Sequence, residues 1–415
     1  MEHIVIVGAG FAGIQAAQSL TRNHNNSMMR VTLINSENYT TFIPLLAEVV
    51  GASILPGQAL APVRHTVPGA RVIMGYVTEV DHSEQRIHYD DGNDVQSLKY
   101  DQLVMACGGR AKLDMIPGMS ENALPLKMLG DALKLRNRVL SRLEQAENRE
   151  DPATRDYLLS FAVVGGGFSG VEVTGEVIDF IRHSLKYYPG LEWDQIRVHL
   201  IHADTHLLPE MDPKLGRHAE QSLRRRGVRV HLETRVDRGE ENGLVVAGPD
   251  DSGLEKLEAG TLVCTIGTQP SELVSRAGLP LNGTRISTRP DMSVTDHNSV
   301  WAVGDCASII NTRDKSESPP TAQFAVEQGK QLAANIERQV RGEATQPFSY
   351  RERGMLATVG HCNGVGRIRS FRISGVVAWF LWRGFYLSRM PTLARKVRLV
   401  FEWTWGVLFP LDIAQ

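Results

Sequence analysis

Cysteine is scarce in this sequence. The four residues, Cys107, Cys264, Cys306 and Cys362, are scattered over 415 positions, with no C-x-x-C and no metal-ligand spacing. That excludes a disulfide-stapled framework and a clustered thiolate metal site, and it points to a reducing, cytoplasmic compartment. No run of 18 apolar residues occurs, so no segment is expected to cross a membrane. Strand-like patterning begins at residue 3, so no signal or transit segment is expected. The net charge of −2 gives no overall pull toward nucleic acid, and no nucleic-acid-binding motif is present.

What is there is an ordinary globular composition, 42% hydrophobic and 22% charged, long enough for two or three domains. Two stretches stand out. "EHIVIVGAGFAG" (2–13) and "FAVVGGGFSG" (161–170) are each an apolar strand pattern breaking into G-x-G-x-x-G. Such a turn needs its first glycine for the tight bend and its second for close approach of a pyrophosphate. The third lets the helix pack on the strand. A chain with 38 glycines yields roughly 0.3 such matches by chance, so one would carry little. Two, each between a strand pattern and an amphipathic helix, predict two βαβ units.

The first unit reads as strand 3–7, a helix from Ala12 and strand 31–35. The second reads as strand 160–165, helix 168–187 and strand 196–201. Weaker strands are expected at 71–80 and 86–89, then "YDQLVMACGG" (100–109) and a helix over 127–150. Helix 212–226, a strand near 228–232 and "TLVCTIGTQP" (261–270) complete the second unit. Beyond the doubled βαβ unit no repeat is evident.

The residue that grips the adenosine ribose should close the second strand of each unit. Asn35, with Ser36 and Glu37 after it, fills that place first, and His202, with Asp204 two residues on, fills it second. His202 does not repel a 2′-phosphate as a carboxylate would, so NADH and NADPH both stay open. Two dinucleotide sites in one chain imply an electron relay between a held flavin and an exchangeable nicotinamide. "SVWAVGDCA" (299–307) supports the flavin: Gly304 lets the backbone close in and Asp305 offers a carboxylate to the ribityl hydroxyls. The plain alternative for Asp305 is a helix cap.

These residues resemble the two-dinucleotide-binding flavoproteins and, within them, the type II NADH dehydrogenases, single-subunit NADH:quinone oxidoreductases of the membrane surface that pump no protons. The resemblance rests on both glycine turns, on "FIPLLAEVVGA" (42–52), on "YDQLVMACGG" with its connector, on "VVGGGFSGVEVTGE" and on "PPTAQFAVEQG" (319–329). It implies an α/β fold with an FAD-binding domain (1–112 and 271–347), an NAD(P)H-binding domain (113–270) and a membrane-association region (348–415). FAD contacts are expected from Gly8, Gly10, Phe11, Ala12 and Gly13, from Asn35 and Ser36, and from Pro44 and Leu45. Ala106, Cys107 and Gly108, Gly304 and Asp305, and Ala322 with Gln323 complete that set. NAD(P)H contacts are expected from Gly165, Gly167, Phe168, Ser169 and Gly170, with Glu172, His202 and Gly267. No metal is implied. The family also implies a homodimer on the cytoplasmic side of the plasma membrane.

Glu172 is expected in the first turn of the second dinucleotide helix, orienting the nicotinamide, with Glu176 one turn later on the same face. Each could instead complement the helix dipole. Gln323, in the first turn after Pro319-Pro320, is placed to hydrogen-bond a quinone carbonyl, while Gln328 reads as a solvated helix position. Cys107 and Cys306 read as small packing residues.

The tail changes character. Residues 353–401 hold nine Lys or Arg and no Asp or Glu, and four of six tryptophans (Trp379, Trp382, Trp403, Trp405) fall there or just after. This reads as an amphipathic surface segment, with indoles at the interface and Arg389, Arg395, Lys396 and Arg398 toward anionic lipid. The alternative is a helix pair packed on the core or in a dimer interface. Competing activities are a sulfide:quinone oxidoreductase, needing thiols near the flavin, and a soluble NAD(P)H-dependent flavoprotein reductase. A flavoprotein whose reduced state serves a partner or a signal is a further reading of a different class.

Overall fold

The computed structural model describes residues 1–22, 28–249, 253–390, 392–409 and 411–414, the side chains of Val407 and Leu408 aside. Along the chain come β1 (Glu2–Val7), α1 (Phe11–Thr21), β2 (Met29–Asn35), α2 (Leu46–Val50) and β3 (Arg71–Met74). Strands β4 (Tyr76–Asp81), β5 (Arg86–Asp90) and β6 (Val95–Lys99) precede β7 (Gln102–Met105), β8 (Ala123–Pro125) and α3 (Leu129–Glu147). The second half opens with β9 (Ser160–Val164), α4 (Phe168–Ser184), β10 (Arg197–Ile201), α5 (Pro213–Arg225) and β11 (Val228–His231). Strands β12 (Arg235–Glu240), β13 (Gly243–Ala247), β14 (Leu254–Glu258), β15 (Thr261–Cys264) and β16 (Val300–Ala302) follow, then α6 (Ala322–Val340). The tail holds β17 (Gly354–Thr358), β18 (Gly364–Ile368), β19 (Phe371–Ser374), α7 (Val376–Arg389) and α8 (Leu393–Leu408).

The chain folds into two compact units, one of 1–41, 60–110 and 268–352, the other of 42–59, 111–267 and 353–415. The first is built on a five-stranded parallel sheet in the order β16-β7-β1-β2-β3. Strand β1 is the central member and is buried on both faces, which is why "HIVIV" reads as an unbroken apolar run. Chain order reverses beside β1, because β2 lies on one flank and β7 on the other. That is the switch point at which α/β sheets open a crevice beyond their carboxyl ends.

The second unit repeats the plan, with a parallel sheet in the order β8-β15-β9-β10-β11 and β9 at its centre. In each unit a three-stranded antiparallel meander follows the edge strand, β4-β5-β6 in the first and β12-β13-β14 in the second. Both meanders carry a register shift in their first strand, at Val77/Glu79 and Val236/Arg238. The repeat is therefore larger than the doubled βαβ unit read from the sequence. The second meander escaped that reading because β12 and β14 are polar and half exposed. The tail, read as an amphipathic surface segment, opens with an antiparallel sheet β17-β18-β19 before α7 and α8, all within the second unit.

Candidate functional site

Both glycine turns have the same construction. Gly8 and Gly165 lie in positive φ (106° and 111°) and their N–H groups donate to Ile34 and Ile201, the ends of the neighbouring strands. A Cβ on Gly13 would lie 1.9 Å from the Gly8 carbonyl oxygen, and one on Gly170 would lie 1.7 Å from that of Gly165. The third glycine therefore packs helix on strand. The middle glycines differ. A Cβ on Gly10 would meet nothing within 4 Å, and one on Gly167 only Glu210 Oε1 at 3.8 Å. Gly10 and Gly167 are also the N-caps of α1 and α4, and neither makes a side-chain cap bond. Each turn thus offers helix N–H groups beside open space, the setting in which a pyrophosphate binds.

The residues closing the second strands brace these turns. The Ala9 N–H donates to Asn35 Oδ1 (2.9 Å), while Asn35 Nδ2 donates to the Glu37 carbonyl. At the matching point the Gly166 N–H donates to His202 Nδ1 (3.1 Å). That bond places the proton of the neutral ring on Nε2, which faces Asp204 at 3.3 Å. Burial holds His202 below the ordinary histidine range, against the pull of Asp204. A cavity of about 670 Å³ lies just past β10, lined by Asp204, His206, Glu233 and Arg235 among others.

In the first unit Ala106 and Gly304, two of the remaining expected flavin residues, lie against the first turn and its helix. A Cβ on Gly8 would strike the Ala106 carbonyl, one on Gly304 would lie 3.3 Å from Ala12 Cβ, and one on Gly109 would lie 3.4 Å from Asp305 Cβ. Pro44 and Leu45 belong to the second unit, in a short 3-10 turn with Leu45 fully buried. Gln328 is not a solvated helix position. It is buried and its Oε1 accepts the Gly304 N–H at 3.0 Å, holding the turn that carries Asp305. The signal was its neighbour: a Cβ on Gly329 would lie 2.5 Å from the Ala12 carbonyl, so this face of α6 lies against α1. Gln323 is half-buried at the start of α6, where Thr321 caps the helix, and its Oε1 accepts the Tyr350 hydroxyl at 2.6 Å.

The second unit holds a cluster of buried carboxyls. Glu172 sits in the second turn of α4, one turn deeper than expected, and its Oε1 accepts from the Thr358 N–H and Trp382 Nε1, both at 3.2 Å. Gly175 makes this possible, because a Cβ there would lie 2.5 Å from the Val359 backbone that follows β17. Glu176 accepts from the Ser53 hydroxyl at 2.8 Å. Glu48 of α2 takes Arg383 Nη2 at 3.1 Å and Trp403 Nε1 at 2.9 Å. The Arg383 guanidinium also lies 3.7 Å from the Trp379 ring centre. Burial pushes Glu172 up to about 8, and burial with the Glu48 charge pushes Glu176 to about 8. Burial raises Glu48 as well, opposed by Arg383. Neither α4 carboxylate is a surface complement to the helix dipole.

This cluster corrects the reading of the tail. Trp379, Trp382 and Trp403 are buried, and of the four tail indoles only Trp405 is exposed. Arg395 bonds the Gly57 carbonyl and Lys396 the Ser388 carbonyl, so two of the four cations assigned to lipid have partners in the chain. Nothing in the sequence pattern revealed that Glu48, over 300 residues away, would receive a tryptophan and an arginine from the tail.

Comparison with known proteins agrees with this geometry. Residues 2–329 match the pyridine nucleotide-disulphide oxidoreductase family. The chain is 31% identical over 414 residues to the type II NADH:quinone oxidoreductase Ndh of Mycobacterium tuberculosis, covering 97% of this chain and 87% of the relative. It is 30% identical to the type II NADH:quinone oxidoreductase of Staphylococcus epidermidis, covering 91% and 92%. Its fold matches NDH2 of Plasmodium falciparum, solved in complex with NADH, at a TM-score of 0.90 and 20% identity over 100% of both chains. The chain thus belongs to the type II NADH:quinone oxidoreductases, within the pyridine nucleotide-disulphide oxidoreductase family.

Proposed function

We propose that this chain oxidises NADH and reduces a membrane quinone, with FAD held by the first unit and the nicotinamide by the second. The observation that carries the reading is the doubled turn, each copy with its middle glycine facing open space. Bound FAD would supply a hydride acceptor at N5 and a two-electron donor to the quinone. Gly8, Gly10 and Gly13, with Asp305 on its braced turn, would hold it. Gly165, Gly167 and Gly170 would hold the nicotinamide dinucleotide.

The overall reaction, NADH plus a proton plus quinone giving NAD⁺ plus quinol, consumes a proton. Three buried carboxyls around one buried guanidinium cannot all ionise, because unpaired charge in a low-dielectric interior is too costly. Arg383 compensates one of them, Glu48, which it touches directly. Glu172 and Glu176 then hold protons at neutral pH. On Glu172, Oε1 accepts two N–H bonds, which leaves Oε2 to carry the proton, while Glu176 Oε2 shares a hydrogen bond with the Ser53 hydroxyl. Tyr350 holds the Gln323 amide oxygen, and in this reading the amide nitrogen would donate to a quinone carbonyl.

The tail supports attachment to a lipid surface, by a different face from the one first expected. Val377, Phe380 and Leu381 are exposed on α7, and Leu393, Val397, Phe401 and Trp405 on α8, where they recur every four residues along one stripe. Among the described residues no helix is long and apolar enough to cross a membrane. The reading is therefore of a peripheral protein on the cytoplasmic side of the plasma membrane, drawing quinone from the bilayer.

The test is anaerobic mixing of FAD-loaded protein with NADH, NADPH and sulfide separately, followed by a quinone. Loss of the flavin absorbance with NADH and its return with quinone are expected. Bleaching by sulfide alone would instead support the sulfide:quinone reading. Within the second unit that reading lacks a thiol pair, since Cys264 is buried in the core and Cys362 is exposed in a turn.

A further inference from the structure

The cavity of about 670 Å³ past β10 is walled by three stretches of the second unit, within 203–209, 233–235 and 247–249. Backbone hydrogen bonds fix the first two against each other. The His202 N–H donates to the His231 carbonyl, the Thr234 N–H to that of His202 and the Glu233 N–H to that of Asp204. A further bond ties this wall to the glycine turn, from the Leu208 N–H to the Gly166 carbonyl at 2.8 Å. The cavity therefore adjoins the second turn, on the side where a dinucleotide with its pyrophosphate at the start of α4 would carry its adenosine.

Two carboxyl side chains, Asp204 and Glu233, line this space against one guanidinium, Arg235. His206 also borders it, and its Nδ1 is buried without a hydrogen-bond partner among the described residues. Asp204 is more than half exposed and its Oδ2 lies 3.3 Å from His202 Nε2. Glu233 keeps its place at a φ of 51°, in the left-handed region that is unfavourable for a residue with a Cβ.

We propose that Asp204 and Glu233 together select an adenosine ribose with a free 2′-hydroxyl, so that this chain takes NADH and excludes NADPH. The inference rests on the second unit being the nicotinamide dinucleotide site and names what sets its choice. An ionised carboxylate accepts hydrogen bonds from ribose hydroxyls and has no proton to offer a phosphate. A 2′-phosphate would bring about 1.5–2 negative charges at pH 7 to a wall with two carboxylates and one guanidinium, and like charges brought together suppress the wrong partner. The strand-end position that should supply the ribose carboxylate holds His202, whose ring is occupied by the Gly166 N–H. Asp204, two residues on, and Glu233, from the loop after β11, take over that duty. No spacing in the sequence links these two acids, because only the backbone bonds between their loops bring them to one cavity. The unfavourable φ of Glu233 separates a binding role from a folding one, since glycine would suit the backbone at least as well.

The test uses full-length, FAD-loaded protein and two probes that carry no nicotinamide, ADP-ribose and 2′-phospho-ADP-ribose, in isothermal titration calorimetry. Wild type should bind ADP-ribose at least ~100-fold more tightly than the phosphorylated probe. Asp204→Asn with Glu233→Gln should shrink that ratio ~10-fold or more, by strengthening the phosphorylated probe as well as weakening the other. Glu233→Gly alone should shrink it too, while its melting temperature without nucleotide stays at or above that of wild type. Comparable binding of the two probes to wild type, or binding of neither, overturns the proposal. An unchanged ratio in both variants does the same. Flavin bleaching keeps this failure apart from failure of the functional reading: bleaching by NADH with an unchanged probe ratio removes the selection alone, whereas a flavin that neither NADH nor NADPH bleaches removes the reading beneath it.

Discussion

Glu172 is the buried carboxyl of the second unit whose proposed role can be tested by titration as well as by turnover. Its carboxyl titrates near 8 when folded, against about 4.3 in an unfolded chain. Between those values the folded protein binds a proton that the unfolded one has lost. The stabilisation is therefore complete below about pH 4 and disappears as pH rises through 8. Glu172→Gln keeps a neutral group that can still accept from Thr358 and Trp382. The melting temperature of the variant should match wild type near pH 5 and exceed it at pH 9, by calorimetry across that range. Parallel curves would mean that Glu172 is ionised throughout. The same variant should retain FAD yet slow NADH-driven bleaching on the order of 10-fold. Gln323→Leu should have the opposite signature, sparing bleaching by NADH and slowing recovery with quinone. Equal loss in both halves would indicate damage to the flavin pocket.

At the scale of elements, the two glycine turns allow a test that separates folding from binding. Gly10→Ala and Gly167→Ala place a methyl in open space and should leave the melting temperature of the protein without nucleotide near wild type. Each should weaken one cofactor only, FAD for Gly10 and NADH for Gly167. Gly13→Ala and Gly170→Ala drive a methyl into a carbonyl and should destabilise by about 1–3 kcal/mol or more. Similar melting temperatures for all four variants would overturn the division of labour. These turns were legible in the sequence because a local pattern, strand then glycines then helix, carries all of their geometry. The bracing residues were half legible: the pattern put Asn35 and His202 at the strand ends, but that they accept from the Ala9 and Gly166 N–H groups depends on turn geometry no motif spells out. Gln328 was misread because a polar residue type does not say which face of a helix meets a neighbour. Glu48, Arg383 and Trp403 could not be read at all, since their pairing depends on how the tail returns to α2.

For the whole molecule, the tail has a buried face and an exposed apolar one, and that changes how the proposed membrane role must be tested. Trp382, Arg383 and Trp403 close over Glu172 and Glu48. Deleting the chain after Gly375 would uncover buried carboxyls, and lost activity would then report unfolding. The outward stripe can be altered alone. Phe380 is 63% exposed and Phe401 70%, so Phe380→Ser with Phe401→Ser should leave the melting temperature within about 1–2 °C of wild type. Burial of a large apolar side chain contributes about 1.5–3 kcal/mol, and each 1.4 kcal/mol is about tenfold in affinity. The pair should therefore weaken binding to anionic liposomes at least ~10-fold. The nine Lys and Arg of 353–401 should add a salt-sensitive component that this double variant retains. Activity with a long-tailed quinone should fall with liposome binding, while activity with a short-tailed, water-soluble quinone should hold. If wild type does not sediment with anionic liposomes even at low salt, the stripe faces something other than lipid. The double variant should then be examined for loss of a dimer by sedimentation velocity.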